Sequence, residues 1–262
     1  MRHIGRSKLR MAAVLLAGCS ISPAAVLTQS AQRAFENYAA AVETSLAGPP
    51  SAAAGNPLLS GRVRVEPVHG GSWPVSGARL HDWRATAIVP GARAQDLLAV
   101  LRDYNHLARY YAPEVLASRS LTVSGDRATI AMRFRKHRIL TVVLDAQFAT
   151  QSALNAHRRG YSISRSTHIW QIDSPGSERE RRRTEGDDDG FLWRLNSYWN
   201  FEETPEGLFI ACEAVSLTRD VPSGLGWLIT PIIQDVPRDS LEFTLTATRR
   251  ALEAKRTAEA SR

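Results

Sequence analysis

The sequence predicts an α+β domain in which a curved, mostly antiparallel sheet wraps around a long C-terminal helix. Three observations predict it. Strand-like segments cluster between residues 62 and 219 and do not alternate with helices, which is the mark of α+β organisation. Two short helical patterns interrupt them once, between residues 94 and 111. The chain closes on a longer pattern in which Leu241, Leu245, Thr248 and Leu252 recur at helical spacing. An antiparallel sheet of this kind must cover its apolar face. The terminal helix is the only predicted element long enough to do it.

The elements follow in order. Residues 30–46 read as a helix, with Ala34, Tyr38, Val42 and Leu46 on one face. The stretch 48–57 carries Gly48, Pro49, Pro50, Gly55 and Pro57 and reads as a linker. Arg62, Val63, Arg64 and Val65 alternate as a short strand, and Gly70, Gly71 and Ser72 suggest a turn. Residues 80–89 form the next strand, closed by Pro90 and Gly91. Leu97, Leu98 and Leu101 mark a helix over 94–101, and a second one follows over 103–111. Strands are then predicted over 115–123, 127–135, 138–150 and 162–172, with Gly125 and Asp126 as a hairpin turn. Residues 175–189 form a polar loop. Its arginines (Arg179, Arg181, Arg182, Arg183) lie near Asp187, Asp188 and Asp189, so the charges offset one another. Residues 191–203 and 208–219 form the last hairpin, turning at Pro205, Glu206 and Gly207. An apolar stretch over 225–233 follows, which Pro231 and Pro237 are expected to break from the main helix.

Composition bounds the class. The chain has 262 residues, 44% hydrophobic and 23% charged, which excludes wholesale disorder and a multi-span membrane protein. Two cysteines exclude a disulfide scaffold and a cysteine-rich zinc site. The net charge of +7 suggests an anionic partner at first, but it is concentrated at the N-terminus. Arg2, Arg6, Lys8 and Arg10 precede an apolar run over 11–17, and Leu16, Ala17, Gly18 and Cys19 follow. This is the layout of an export signal, and its ending resembles the bacterial lipobox. That resemblance implies cleavage before Cys19 and a lipid on its thiol, which would anchor the domain to a membrane. Two other readings stand beside it: ordinary signal cleavage near Ala24 or Ala25, and an uncleaved anchor, for which the run is short. Removing residues 1–18 takes away four of the 33 basic residues and none of the 26 acidic ones, leaving +3. The expected organisation is a signal over 1–18, a helix and linker over 19–60, the folded domain over 61–256 and a tail to 262.

Several segments carry a resemblance to a known superfamily: His81-Asp82-Trp83-Arg84, Val89-Pro90-Gly91-Ala92, Asp103-Tyr104 and Ala112-Pro113-Glu114-Val115. So do Gly190-Phe191-Leu192-Trp193-Arg194-Leu195-Asn196-Ser197-Tyr198-Trp199 and Leu217-Thr218-Arg219-Asp220-Val221-Pro222. With the element order, these resemble exported bacterial members of the START-like, or SRPBCC, superfamily, over roughly residues 60–253. That superfamily includes START lipid-transfer domains, coenzyme Q-binding proteins, birch-pollen allergens and polyketide cyclases. The resemblance implies the helix-grip fold, with an apolar cavity between the sheet and the C-terminal helix. It does not imply one reaction, because a fold hosts many functions.

The candidate site lies on the last hairpin. If residues 191–203 form a regular strand, Phe191, Trp193, Leu195, Ser197, Trp199 and Phe201 share one face. That aromatic face would suit a cavity wall or plain core. Arg194, Asn196 and Tyr198 share the other face, either as orienting groups for a polar ligand head or as an outer face in solvent. Glu213 stands opposite Tyr198 if the turn spans four residues, and moves to the aromatic face if it spans five. His81 and Trp83 alternate onto one face of the first long strand. Trp227 lies in the apolar stretch 225–233, which is a candidate gate.

The sequence has no HExxH, GxSxG, Walker A or GxGxxG motif. No cofactor, metal or nucleic-acid partner is expected. The leading expectation is an exported, lipid-anchored binding protein for an apolar molecule such as a lipid, quinone or polyketide. The alternatives are a cyclase- or aromatase-like enzyme, drawing acid/base groups from Arg194, Tyr198, Glu213 and His81, and a non-catalytic envelope scaffold with a filled core.

Overall fold

A computed structural model of the chain describes residues 25–46, 62–137, 141–220 and 226–260. The expected signal, Cys19 and the linker 48–57 lie outside the described residues. A short strand β1 (Ala25–Val26) leads into helix α1 (Gln29–Leu46). Strands β2 (Arg64–Val75) and β3 (Ala78–Val89) follow, then helices α2 (Ala94–Arg102) and α3 (Leu107–Tyr111). Next come β4 (Val115–Ser124), β5 (Arg127–His137), β6 (Thr141–Leu154) and β7 (Arg159–Asp173). Two short pieces, β8 (Arg181–Arg182) and β9 (Asp187–Asp188), lie in the polar loop. Hairpin β10 (Arg194–Thr204) and β11 (Gly207–Arg219) precede helix α4 (Gly226–Ala260).

The main sheet runs β2-β3-β11-β10-β7-β6-β5-β4, with β8 added to β7. Its pairings are antiparallel throughout. Together with α4, this is the helix-grip arrangement the sequence predicts. Side chains alternate across each strand, so each residue's parity assigns it to a face. On the inner face Ala85, Val89, Trp199, Phe201, Leu208, Ile210 and Cys212 pack with Leu241, Leu245 and Leu252 of α4 and with Leu97 and Val100 of α2. Burying each large aliphatic or aromatic side chain contributes about 1.5–3 kcal/mol. A second inner cluster joins Ile130, Leu144, Phe148 and Ile169 to Tyr111 of α3 and Ala247 of α4.

The outer face is covered as well. Ala31, Phe35, Ala39 and Val42 of α1 pack on Leu80, Tyr198, Val215 and Leu217. The buried stripe is therefore rotated from the predicted one, which began at Ala34. Thr28 caps this helix: its Oγ1 accepts the Ala31 N–H at 3.1 Å, a contact worth about 1 kcal/mol. The segment before the helix is held by the β1–β9 pairing, with Ala25 opposite Asp188.

Two predicted breaks are absent. Helix α4 runs unbroken through Pro231 and Pro237. Proline's fixed φ is helical, so each proline costs one hydrogen bond and a local clash, and packing of α4 on the sheet offsets this. The Gly70-Gly71-Ser72 segment is a bulge inside β2 and not a turn between strands. The pairing jumps from Pro67↔Trp83 to Ser72↔His81. His69, Gly70 and Gly71 take left-handed φ values of 47°, 82° and 80°, and a Cβ on Gly71 would lie 2.6 Å from the Trp83 ring. The polar loop behaves as its charges suggest: Arg181 pairs with Asp173, Arg182 with Asp145 and Arg183 with Asp189, at 2.9–3.0 Å.

Candidate functional site

The β10–β11 pairing settles the open register. Thr204 stands opposite Gly207, leaving Pro205 and Glu206 as the loop, and Tyr198 stands opposite Glu213. Both belong to the outer face, but that face is not in solvent. Tyr198 is 1% exposed, Glu213 3% and Asn196 4%, because α1 lies across them.

There they form a buried polar network. Asn196 Nδ2 donates to the Tyr198 hydroxyl at 2.9 Å, and that hydroxyl donates to Glu43 Oε1 at 3.2 Å. Arg165 grips both oxygens of Glu43, at 2.6 and 2.7 Å. Arg84 Nε donates to Glu213 at 2.8 Å. Tyr38 of α1 donates to Asp82 Oδ2 at 2.6 Å. Burial, and then the neighbouring Glu213 carboxylate, pushes the Asp82 carboxyl up to about 7. Asp82 Oδ1 is buried and has no hydrogen-bond partner, which suits a carboxyl that keeps its proton to a higher pH. Arg194 is also on this side, pairing with Glu185 at 2.9 Å and with Gln32 at 3.2 Å.

Trp193 departs from the predicted alternation. The regular strand begins only at Arg194, so parity does not carry back to it. Trp193 packs with the α1 cluster on the outer face, and its Nε1–H donates to Asp188 Oδ1 at 3.1 Å. Phe191 is 43% exposed and forms no wall. Of the two hairpin tryptophans, Trp199 alone faces α4.

His81 and Trp83 lie on the inner face, in line with Ala85 and Ala87. His81 is fully buried, with Nε2 3.0 Å from Thr218 Oγ1. Burial, with Arg79 nearby, pushes its imidazole down to about 4, so it is neutral at physiological pH. Trp227 lies on the first turns of α4. The side chains of residues 226–234 are outside the described residues, and with them the proposed gate.

The inner face carries a feature that no local sequence pattern displays. Ala128, Thr150, Ser164, Ser197 and Ala214 stand side by side across five strands, and Trp83 ends the row. These are small side chains in the middle of the face that α4 crosses. Ser164, Ser197, Ala214 and Trp83 are only half-buried, so part of each stays accessible. Phe134, Leu195 and Phe243 border the second inner cluster and are half-buried too. The row came from five segments of the chain, so only the pairing register reveals it. A groove of about 360 Å³ is lined mainly by Thr122, Arg127, Thr129, Ala149, Gln151 and Arg165, and it also touches Ala128 and Thr150 of the row. No cluster of three or more potential metal ligands occurs among the described residues.

No family model matches the chain, and no curated protein is similar to it. Solved structures are. A STAR-related lipid transfer protein from Xanthomonas axonopodis is 16% identical, covering 70% of this chain and 99% of that one, with a TM-score of 0.47. The Streptomyces aromatase/cyclase Zhui is 15% identical over 70% of this chain and 98% of that one, with a TM-score of 0.44. Human STARD10 is 11% identical over 73% of this chain and 78% of that one, with a TM-score of 0.43.

Proposed function

We propose that this protein binds an apolar small molecule, of the lipid, quinone or polyketide kind, between the inner face of the sheet and α4. The row of small side chains from Ala128 to Ala214, of which Ser164, Ser197 and Ala214 are half-buried, carries this reading. It leaves room under a helix whose neighbours on both sides are tightly packed. Apolar ligand area removed from water there contributes roughly 25 cal/mol per Å². The room also weighs against a filled scaffold core.

Binding is favoured over cyclase-like chemistry by where the acid/base groups lie. Arg194, Tyr198 and Glu213 belong to the outer network under α1, and of that set only His81 faces α4. Acid/base catalysis on a substrate in the inner space needs a second group there.

Filling the row tests the reading. Purified protein should carry, or take up, one apolar molecule in native mass spectrometry. Ser197→Leu and Ala214→Leu should keep the wild-type circular dichroism and lose that molecule. Wild-type protein that takes up no apolar ligand under any condition would defeat the proposal.

We further propose that the chain is exported and held on a membrane by a lipid on Cys19. The basic segment from Arg2 to Arg10, the apolar run and the Leu-Ala-Gly-Cys ending support this. An apolar cargo suits an envelope protein placed beside a membrane. Fractionation of Cys19→Ser is the check: the variant should leave the membrane fraction, and unchanged retention rejects the anchor.

A further inference from the structure

We propose that the end of the domain formed by β1, β9 and Phe191 is its membrane-contact surface, with Val26 and Phe191 seated in the lipid interface. The proposal rests on the reading of Cys19 as a lipid anchor and adds which part of the fold that anchor brings to the bilayer.

Chain length sets the first constraint. Only six residue steps separate Cys19 from Ala25. Whatever their conformation, they span at most about 22 Å, whereas a domain of roughly 200 residues is about 40 Å across. The far end of this tether is fixed to the fold. Ala25 pairs with Asp188 and Val26 with Asp187, and the Leu27 N–H donates to the Gly186 carbonyl at 2.8 Å. Leu27 then packs with α1 and the outer face of the sheet. A lipid on Cys19 therefore keeps this end of the sheet at the membrane. The Pro205-Glu206 loop lies at the other end of β10, an 11-residue strand of about 36 Å at the usual rise.

Surface chemistry sets the second. Among the described residues, the exposed large hydrophobic side chains are Val26 at 63%, Leu116 at 40%, Val123 at 62% and Phe191 at 43%. Two of the four are at the tethered end. Asp187, the pairing partner of Val26, is four residues before Phe191, so the two backbones are no more than about 20 Å apart. The turn that presents Phe191 is firmly held. Asp188 Oδ1 accepts the Gly190 N–H at 2.6 Å and the Trp193 indole N–H at 3.1 Å. The Gly190 carbonyl accepts the Arg219 N–H at 2.8 Å. Three acidic side chains beside the patch are paired with arginines: Asp189 with Arg183, Glu185 with Arg194 and Asp220 with Arg79, at 2.9–3.1 Å. These pairs carry no net charge, so contact with a zwitterionic lipid surface is not opposed by them. Apolar area of Val26 and Phe191 removed from water there contributes roughly 25 cal/mol per Å².

The same end borders the inner space. Leu192, the residue after Phe191, packs in the second inner cluster with Phe243 and Ala247 of α4. The last turns of α4 lie at the opposite end, where Leu252 packs with Val89 and Leu208. A molecule drawn from the bilayer at Phe191 is thus one residue from the wall of the inner space.

The test uses the full, lipidated chain in phosphatidylcholine vesicles. Val26→Cys, Phe191→Cys and Glu206→Cys each carry a thiol-linked fluorophore, and circular dichroism checks their folding. Cys212 is buried, and the unsubstituted protein is the labelling control. Spin-labelled phosphatidylcholine should quench the fluorophores at 26 and 191 at least about twofold more than the one at 206, because interfacial groups sit about 5–10 Å into the lipid. Equal quenching at all three positions, with the protein still on the vesicles, would overturn the proposal and leave the anchor standing. Emission at 26 and 191 that shifts with protein concentration in detergent, without lipid quenching, would give the patch to a second copy of the chain and overturn it as well. Wild-type protein with no lipid on Cys19 by mass spectrometry would remove the anchor, and this surface with it.

Discussion

Tyr38 on α1 donates a 2.6 Å hydrogen bond to Asp82 in the middle of β3, 44 residues further on. This contact joins the N-terminal helix to the sheet at the most buried acidic side chain of the outer network, which is 0% exposed. Around it, Tyr38 stacks edge-on with Trp73 at 5.2 Å and with His69 at 6.3 Å, both from the β2 strand that carries the bulge. The outer face is thus a second core, built from α1, the bulge and three strands.

Removing the Tyr38 hydroxyl should weaken that core without emptying it. Tyr38→Phe keeps the ring contacts and takes from Asp82 its one side-chain donor among the described residues. The expected loss is about 1–3 kcal/mol, the range for a hydrogen bond to a charged or partly charged group. Urea unfolding measures it. In Asp82→Asn the same change should cost less, and a double-mutant cycle shows the coupling.

The pH dependence of stability separates the two buried titratable groups of β3. Asp82, flanked by Tyr38, Glu213 and Arg84, is raised from about 3.8 to about 7. It binds a proton in the folded chain that the unfolded chain lacks, so its contribution is full below about 4 and is lost as pH rises to about 7. His81, beside Thr218 and Arg79, is lowered from about 6.5 to about 4. Its contribution is full above 6.5 and is lost as pH falls toward 4. The two slopes oppose each other in the wild type. Relative to wild type, Asp82→Asn should therefore gain stability between pH 5 and 8. His81→Phe should gain it from pH 7 down to 4.5. Chemical denaturation across that range checks both, and flat differences would reject both assignments.

The β2 bulge should tolerate no side chain at Gly71. Its φ is 80°, and a Cβ would meet Trp83 at 2.6 Å. Gly71→Ala should cost more than about 1 kcal/mol, because backbone strain adds to the clash. A shifted Trp83 environment should accompany it, seen as a change in tryptophan emission relative to a Trp83→Phe control. An alanine that leaves both stability and emission unchanged would show that the bulge relaxes freely.

Cys212 offers a probe of the inner face. It is buried beside Trp199 and Ala85, and burial raises its thiol well above the ordinary range. In a Cys19→Ser background it should react with a thiol reagent only through opening of the fold, as only the thiolate is nucleophilic. A bound apolar ligand should slow that reaction in proportion to its occupancy. Fast labelling of native protein would mean that the inner face opens without unfolding.

Much of this protein is legible in its sequence. Period-two alternation places β3, β5, β7, β10 and β11, and the Pro205-Glu206 corner fits the loop that sets Tyr198 against Glu213. Helical spacing places α2 and α4. Alternation also separates Trp199 from Tyr198, because neighbouring residues on a strand point to opposite faces. It does not say which face meets α4, because both faces of β10 are covered in the fold, one by α4 and the other by α1.

Tertiary structure decided the rest. It put α1 over Tyr198, Asn196 and Glu213, turning an apparent surface into a core. It placed Trp193 on that side, because the strand becomes regular only one residue later. It carried α4 through two prolines, a cost that packing against the sheet offsets. It also aligned Ala128, Thr150, Ser164, Ser197 and Ala214 into one row. Each of these is small and unremarkable in its own segment. Only the register of five strands makes them neighbours, and register is set by long-range pairing that no local pattern contains.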